Sequence, residues 1–120
     1  MKKTIFAVDD CDMSLTVVEF ALADKYIVHT INTLGRMFDL LEETLPDLIL
    51  LDLYMPDMTC QEVMARLKAN ERHAEIPVII ISGSRNDDVI KECAQMGAVH
   101  FISKPVMDPL DLDDQIKPWI

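Results

Sequence analysis

Short apolar runs alternate along the chain with longer segments in which apolar residues recur every three or four positions. The short runs predict five β-strands, at Thr4–Val8, Tyr26–Ile31, Leu48–Leu53, Pro77–Ser82 and Val99–Ser103. The third and fourth runs are almost continuously apolar, which is typical of central parallel strands that are covered on both faces.

The segments between these runs have helical periodicity and predict five amphipathic helices. Ser14 is the expected N-cap of the first helix, and Thr33 is that of the second. The third helix is expected from about Thr59 to Ala69, and the fourth from about Asn86 to Met96, with a C-cap at Gly97. The fifth is expected to open with the pair Asp108-Pro109 and to end at about Lys117. A strand followed by a helix, five times over, predicts an α/β fold: a doubly wound five-stranded parallel sheet with helices on both faces.

Length and composition favour one compact domain spanning residues 1–120. Half of the residues are hydrophobic, which excludes a disordered segment, and the net charge of −10 predicts that the domain repels nucleic acid and anionic membranes. The three cysteines are widely spaced, so they predict neither a disulfide framework nor a zinc site. With no signal peptide or membrane span in the pattern, we expect a cytoplasmic protein.

Reactive side chains follow four of the five predicted strands. Asp9 and Asp10 end the first run, Asp52 the third, Ser82 the fourth and Lys104 the fifth. In an open parallel sheet, ligands bind beyond the carboxyl ends of the strands, which all lie along one edge. We therefore expect three carboxylates, a hydroxyl and an ammonium group to share one small volume.

Such a cluster of carboxylates needs compensation. Two unit charges about 4 Å apart repel by about 4 kcal/mol at an effective dielectric of about 20, and one ammonium cannot offset three carboxylates. Either a carboxylate keeps its proton or a divalent cation binds among the oxygens, and hard oxygen ligands favour Mg²⁺, with Mn²⁺ as an alternative. A carboxylate nucleophile beside Mg²⁺, a lysine and a hydroxyl suits phosphoryl transfer.

Four segments at these strand ends together resemble the receiver domain of two-component response regulators, from Lys3 to about Ile116. They are Phe6–Asp10, which resembles the acidic pair of the family, Leu50–Pro56, its phosphoacceptor segment, Ile81–Gly83, its Ser/Thr position, and Phe101–Pro105, its aromatic residue and Lys-Pro pair. The resemblance implies a flavodoxin-like fold, as in chemotaxis regulators, with the strand order 2-1-3-4-5.

The resemblance also implies a reaction and the residues that carry it. A sensor histidine kinase or a phosphotransfer protein would donate the phosphoryl group of its phosphohistidine to Asp52 in a Mg²⁺-dependent reaction, assisted by Lys104 and Ser82. The implied metal ligands are Asp9, Asp10, Asp52 and the main-chain carbonyl of Tyr54. The peptide bond between Lys104 and Pro105 would be cis.

A conformational switch is implied as well. Ser82 would move onto the phosphoryl group, and Phe101 would turn inward into the vacated space. The surface of the fourth helix, fifth strand and fifth helix would then change its preference for a downstream protein target, as a monomer or as a phosphorylation-dependent dimer. Such a domain catalyses its own phosphorylation and dephosphorylation, but it acts mainly as a signalling switch.

Three other functions are weighed against this one. A small Mg²⁺-dependent phosphatase of the haloacid dehalogenase type also uses an aspartyl nucleophile, but it needs a second acid two residues later, where this chain has Tyr54. In a flavodoxin-like cofactor binder, the loop after the first strand binds a phosphate group, which Asp9 and Asp10 would repel. A degenerate receiver that acts only as a docking module remains a third alternative, although the complete set of site residues argues against it.

Further expectations concern individual residues. The loop before the third helix has Thr59-Cys60 where the family usually has Asp-Gly, so it must turn without glycine. Nearby carboxylates should raise the pKa of Cys11 and keep its thiol unreactive. The three histidines fit no ligand or triad spacing, and we expect them on the surface or at the edges of elements.

Overall fold

A parallel sheet of five strands forms the centre of the protein. In the computed structural model, which describes residues 2–83, 87–104 and 109–120, the strands are β1 (Thr4–Val8), β2 (Ile27–Ile31), β3 (Leu48–Asp52), β4 (Val78–Ser82) and β5 (His100–Ser103). Every residue of β3 and β4 is buried, as expected of central strands that are covered on both faces. The predicted strands are thus confirmed, with ends that differ by at most one residue.

The strand order is β2-β1-β3-β4-β5, which is the predicted order 2-1-3-4-5. All four pairings are parallel, with Val8 beside Leu51, Asp52 beside Ile81, and Ser82 beside Ser103. This register brings the carboxyl ends of β1, β3, β4 and β5 together along one edge of the sheet. The chain reverses its direction of travel across the sheet between β1 and β3, and ligands bind at such a point.

Five helices cover the two faces of the sheet: α1 (Asp12–Leu22), α2 (Leu34–Leu41), α3 (Cys60–Ala69), α4 (Asp87–Gln95) and α5 (Pro109–Ile116). Helices α1 and α5 pack on one face, where the apolar core includes Leu15, Leu22 and Ile116. Helices α2, α3 and α4 pack on the other face, and their core includes Met37 and Val63. Alternate residues of each strand point to opposite faces of the sheet, so each strand contributes different side chains to the two cores.

The ends of the helices follow local capping chemistry, with one correction. The side chain of Thr33 caps α2 as predicted, because its hydroxyl accepts a hydrogen bond from the Arg36 amide at 3.2 Å. Ser14 was expected to cap α1, and this prediction is wrong: the N-cap is Cys11, three residues earlier, and its side chain makes no capping bond. Asp12 in the first turn suits the positive end of the helix dipole, a signal that the apolar spacing does not carry.

Helix α4 ends just before a glycine that the backbone requires. Gly97 has a φ of +119°, and a Cβ atom at this position would lie 2.5 Å from Cε of Lys68. The predicted C-cap is therefore confirmed. The predicted cap of α5 at Asp108 lies outside the described residues, and after α5 the residues Lys117–Trp119 form a turn of 3-10 helix.

One histidine is placed differently from expectation. His73 is buried, with 3% of its surface exposed, in the turn that follows α3. Its main-chain amide donates to the carbonyl of Asn70 at 3.0 Å, and its main-chain carbonyl accepts from Ile76 at 3.1 Å. Of the expected positions, the surface is therefore wrong for His73, which lies buried in the turn between α3 and β4.

None of the helices formed by the described residues is long and apolar enough to cross a membrane.

Candidate functional site

Three carboxylates meet at the carboxyl edge of the sheet. Oxygen atoms of Asp9, Asp10 and Asp52 all lie within 4.8 Å of one another. Asp9 and Asp52 are buried, with exposed fractions of 4% and 7%, whereas Asp10 is exposed. They converge because β1 and β3 are parallel neighbours in register, Val8 beside Leu51, so the residues that follow each strand leave the sheet side by side.

The main chain holds Asp9 firmly at this edge. Its amide donates to the carbonyl of Ile31 at 3.0 Å, which extends the ladder between β1 and β2 by one residue. Its carboxylate oxygen Oδ1 accepts a hydrogen bond from the amide of Cys11 at 2.9 Å. One carboxylate oxygen thus turns the chain from β1 into α1, while the other, Oδ2, faces the cluster.

Lys104 brings the counter-charge into the cluster from the end of β5. Its Nζ donates to Oδ2 of Asp9 in an ion pair and lies 3.8 Å from Oδ1 of Asp52. The main-chain amide of Lys104 donates to the carbonyl of Ser82 at 2.9 Å, so β4 fixes the point where the lysine leaves the sheet. The lysine side chain is 19% exposed and is therefore shielded from most of the solvent.

Burial and charge together destabilise the ionised form of Asp52. Burial is the main cause that raises its pKa to about 6; the charge of Asp9 adds to the effect, Asp10 adds less, and Lys104 opposes it. The single ammonium therefore does not offset the carboxylates. A hard divalent cation such as Mg²⁺ fits this set, because three carboxylate donors converge and one of them, Asp10, is open to solvent and to water ligands.

Ser82 and Phe101 lie on the α4 side of this cluster. Ser82 is the last residue of β4, is 3% exposed and follows Ile81, the residue that pairs with Asp52. Phe101, in β5, pairs with Ile80 of β4 and is half-buried against the core between the sheet and helices α2, α3 and α4. Both residues therefore connect the carboxylate edge with the packing of α4.

The segment after Asp52 contains a small hairpin that the sequence did not predict. Residues Tyr54–Met55 pair antiparallel with Met58–Thr59, which places the main chain of Tyr54 two residues beyond Asp52. Oδ2 of Asp57 accepts hydrogen bonds from the amides of Leu34 and Gly35, at 3.0 and 3.3 Å. Asp57 thus anchors the hairpin to the amino-terminal end of α2, where the helix dipole favours a negative charge.

The turn into α3 proceeds without glycine. The Thr59 hydroxyl accepts from the Glu62 amide at 3.1 Å, and the Glu62 carboxylate accepts from the Thr59 amide at 3.4 Å. Among the described residues, none other than glycine has a positive φ. This capping box satisfies two amides at the start of α3, and it explains how Thr59-Cys60 can stand where a glycine is usual. The pattern Thr-x-x-Glu was the signal that could have predicted it.

Two expectations about neighbouring residues have different outcomes. The pKa of Cys11 is lowered, not raised, because a main-chain hydrogen bond with Ser14 outweighs the repulsion by Asp9, so that expectation was wrong. The predicted cis peptide bond at Pro105 lies outside the described residues and stays a prediction.

Comparison with known proteins identifies the class of domain. The sequence matches the response regulator receiver domain family over residues 5–117. The chain therefore belongs to the receiver domains of response regulators. This confirms the resemblance and the fold inferred from the strand-end segments.

Individual relatives agree with this assignment. A probable cyclic di-GMP phosphodiesterase of Vibrio cholerae serotype O1 is 33% identical over 89% of this chain, and the two-component response regulator ORR6 of Oryza sativa subsp. japonica is 35% identical over 85%. The chain spans only 24% and 62% of the length of these two proteins. A crystal structure of the phosphorylated cyanobacterial phytochrome response regulator RcpA is 26% identical, with a TM-score of 0.88 over 99% of this chain and 94% of its own.

Proposed function

We propose that this receiver domain accepts a phosphoryl group on Asp52 from the phosphohistidine of a sensor histidine kinase or phosphotransfer protein, in a Mg²⁺-dependent reaction. The observation that carries the proposal is the convergence of Asp9, Asp10 and Asp52 within 4.8 Å, with Lys104 beside them. RcpA, which is similar over nearly its whole length, has been crystallised in a phosphorylated form.

In the proposed reaction, an ionised oxygen of Asp52 attacks the phosphorus atom of the donor. The new O–P bond forms as the N–P bond breaks, and the bonding electron pair returns to the imidazole nitrogen of the donor. Lys104 opposes the negative charge on the phosphoryl oxygens, and the Ser82 hydroxyl donates a hydrogen bond to one of them. With a pKa of about 6, Asp52 is mostly ionised at neutral pH and can serve as the nucleophile.

The cation would be held by Asp9, Asp10, Asp52 and the main-chain carbonyl of Tyr54, with Mn²⁺ as an alternative to Mg²⁺. Its chemical contribution is positive charge next to the phosphoryl oxygens. The exposed position of Asp10 leaves this side of the cluster open to the donor and to water, whereas buried Asp9 is held by Lys104 and by the Cys11 amide. Asp10 and Asp9 thus have different roles: Asp10 binds the cation, and Asp9 also positions the lysine.

The response to phosphorylation is proposed to pass through Ser82 and Phe101. When the Ser82 hydroxyl moves onto the phosphoryl group, Phe101 turns inward, and the surface of α4, β5 and α5 changes its affinity for a downstream protein target. Ser82 is buried at the end of β4, and Phe101 is half-buried next to α4, so both are placed to respond together. This is a two-state equilibrium biased by new charge-assisted hydrogen bonds.

The context of the domain is also a proposal. We propose that residues 1–120 form a single receiver domain that acts in the cytoplasm, as a monomer or as a phosphorylation-dependent dimer. The net charge of −10 supports protein partners over direct binding to nucleic acid or membrane.

Mass spectrometry after incubation with Mg²⁺ and acetyl phosphate tests the acceptor. We expect the parent protein to gain one phosphoryl group, the Asp52→Asn variant to gain none, and the Asp12→Asn variant, which changes an exposed carboxylate just outside the cluster, to behave like the parent. Omission of Mg²⁺ should abolish the gain. Equal labelling of the parent and of Asp52→Asn would contradict the proposal.

A further inference from the structure

Two cysteines that are far apart in the sequence meet between α3 and α4. The sulfur atoms of Cys60 and Cys93 lie 2.8 Å apart, although the residues are separated by 33 positions. Cys60 is the first residue of α3, and Cys93 lies in the second half of α4. The wide spacing of the cysteines predicts no disulfide framework. The contact could not be predicted, because distance along the sequence does not show that two helices bring residues 60 and 93 together.

The geometry leaves little movement between two thiols and a bond. A disulfide has an S–S distance of about 2.05 Å, so the two sulfurs need to approach by only about 0.8 Å. Both residues are already ordered in the apolar core, with exposed fractions of 3% and 0%. Neither helix has to move far for the bond to form.

A second contact holds the same two helices in this register. Nε2 of Gln61 donates a hydrogen bond to Oε2 of Glu92 at 2.7 Å. Gln61 follows Cys60, and Glu92 precedes Cys93, so the neighbours of both cysteines are paired as well. The position of Cys60 opposite Cys93 is therefore supported by an independent polar contact.

The two thiols are also chemically distinct. The pKa of Cys60 is raised by its hydrogen bond with Cys93 and by its burial. The pKa of Cys93 is lowered because the Cys60 thiol stabilises its thiolate, although burial opposes this. A thiol whose pKa is lowered by a neighbouring thiol is suited to oxidation to a disulfide with that neighbour.

A cavity beside the acidic cluster reaches Cys60, one member of this pair. The cavity has a volume of about 360 Å³ and is lined by residues that include Asp10, Cys60 and Val89. Cys60 thus lies at its wall even though its exposed area is small. A small neutral oxidant can enter here without unfolding either helix.

We propose that Cys60 and Cys93 form a reversible disulfide when the protein meets a hydroperoxide, and that this bond fixes α4 against α3. Both S–H bonds break and one S–S bond forms. The two sulfurs are oxidised by two electrons in total, and these electrons and the two protons convert hydrogen peroxide into two molecules of water. Two molecules of an added small thiol reduce the bond by thiol–disulfide exchange, which restores both cysteine thiols and leaves the disulfide of the small thiol.

The proposed disulfide joins two helices that each follow a residue at the carboxyl edge of the sheet. Helix α3 follows the hairpin that comes after Asp52, and α4 follows the segment that begins with Ser82 and Gly83. The disulfide would therefore join the two elements that lead away from Asp52 and Ser82. Its effect on the response of α4 to phosphorylation rests on the proposed function, whereas formation of the bond itself does not.

Peroxide oxidation of the full chain tests the formation of the bond. The Cys11→Ser variant is used as the starting protein, because Cys11 is exposed and would otherwise give disulfides between molecules. After treatment with hydrogen peroxide and alkylation, we expect an intact mass lower by two hydrogens, a single cross-linked peptide pair that contains Cys60 and Cys93, and full recovery of two alkylatable thiols after reduction. The Cys11→Ser/Cys93→Ser and Cys11→Ser/Cys60→Ser variants should give no cross-link within the chain.

Hydrogen exchange tests whether the disulfide fixes α4 against α3. In the oxidised protein, amides of α4 should exchange several-fold more slowly than in the reduced protein, while those of α1 should be unchanged. Separate addition of oxygen to each cysteine without a cross-link would overturn the proposal, and unchanged exchange in α4 of the cross-linked protein would overturn its second half. The same oxidation of Cys11→Ser/Asp52→Asn should give the same cross-link, so failure of the phosphoacceptor assignment and failure of this proposal are distinguishable.

Discussion

Lys104 forms a close ion pair with Asp9 and a longer one with Asp52. Its Nζ donates to Oδ2 of Asp9 and lies 3.8 Å from the nearer oxygen of Asp52. The ammonium therefore lowers the pKa of Asp52 only in part, and burial with the charge of Asp9 still keeps that pKa at about 6. The arrangement holds the lysine beside the proposed nucleophile and leaves the carboxylate of Asp52 available for a cation and a phosphoryl group.

The partial compensation by Lys104 can be measured. In the Lys104→Met variant without divalent cations, the pKa of Asp52 should rise above about 6, because the one charge that opposes burial and the neighbouring carboxylates is removed. NMR titration of the side-chain carboxyl carbon measures this value. Lys117→Met is the matched control, since Lys117 pairs with Asp113 and Asp114, and its Asp52 should titrate as in the parent. An unchanged or lower pKa in Lys104→Met would show that the lysine does not act on Asp52.

The raised pKa of Asp52 predicts that its charge destabilises the protein when no divalent cation is bound. The pKa of this carboxyl is 3.8 ordinarily and about 6 in the folded protein. The folded state thus binds the proton more tightly, so the contribution of Asp52 to stability is fully present below about pH 3.8 and is lost as the pH rises through about 6. Asp52→Asn removes this loss, and at neutral pH it should be more stable than the parent by about 1–2 kcal/mol.

Urea unfolding at a series of pH values checks this expectation. The advantage of Asp52→Asn should shrink toward zero as the pH is lowered to the ordinary pKa of an aspartate, and Mg²⁺ should stabilise the parent more than the variant. Asp114→Asn, which changes a carboxylate that is 72% exposed and outside the cluster, should show the same pH dependence as the parent. An advantage of Asp52→Asn that grows on acidification would refute the assignment.

Residues at the strand ends could be predicted from sequence because parallel pairing determines where they go. Once β1, β3 and β5 are recognised, Asp9, Asp52 and Lys104 must reach the same edge of the sheet, and they do. The choice of Asp9 as the partner of Lys104 was not predictable. It depends on side-chain distances of a few ångströms, which no spacing along the chain encodes.

Contacts between helices and loops could not be predicted from the sequence for a related reason. The hydrogen bonds from α2 to Asp57 join a hairpin to a preceding helix through residues that are 23 and 22 positions apart. The approach of Cys60 to Cys93 depends on the rotation and register of α3 against α4. Apolar periodicity predicts which face of a helix is buried, but it does not predict which residues of two buried faces meet.

The exposed carboxylate of the cluster gives the cleanest test of cation binding. Asp10→Asn removes a ligand and a charge without disturbing the ion pair of Asp9 with Lys104, so the fold should be retained. We expect Mg²⁺ to bind about tenfold more weakly or worse, because its affinity depends on the charge of its few carboxylate ligands. Isothermal titration calorimetry without a phosphodonor measures the change, and Asp12→Asn should bind like the parent. Equal affinities of Asp10→Asn and the parent would exclude Asp10 as a ligand.

A further buried carboxylate, besides Asp9 and Asp52, lies on α5 and supports the opposite end of the sheet. Asp113 is 2% exposed and accepts hydrogen bonds from Nζ of Lys25 at 2.7 Å and from the hydroxyl of Tyr26 at 2.8 Å. Nζ of Lys117 lies 3.3 Å away. Since Lys25 and Tyr26 directly precede β2, Asp113 ties α5 to the edge strand of the sheet.

Asp113→Asn should therefore destabilise the protein by about 1–3 kcal/mol, because it weakens hydrogen bonds to a buried charge. Asp114→Asn is the matched control: Asp114 is the next residue, its side chain is 72% exposed, and its ion pair with Lys117 should contribute little. Urea unfolding of both variants at neutral pH measures the difference. Equal stabilities of the two variants would contradict a structural role for the contacts of Asp113.

The same contacts predict how stability changes at both ends of the pH scale. Burial opposes the charge of Asp113, but the hydrogen bonds from Lys25, Tyr26 and Lys117 lower its pKa below the ordinary value. Its contribution is therefore present above the ordinary pKa of an aspartate and is lost as the pH falls through the lower pKa of the folded state. The pKa of Tyr26 is raised to about 12 by burial and by Asp113, so its contribution is lost as the pH rises from about 10 through about 12.

Tyr26→Phe separates these two effects. It removes the donor to Asp113 but keeps the aromatic ring, so the extra loss of stability of the parent in alkali should disappear, while part of the loss in acid, due to Lys25, should remain. Thermal unfolding between neutral pH and about pH 11 compares the two proteins. If the parent and Tyr26→Phe lose stability equally over this range, the tyrosine hydroxyl does not contribute through Asp113, and the alkaline loss must come from other groups that titrate there.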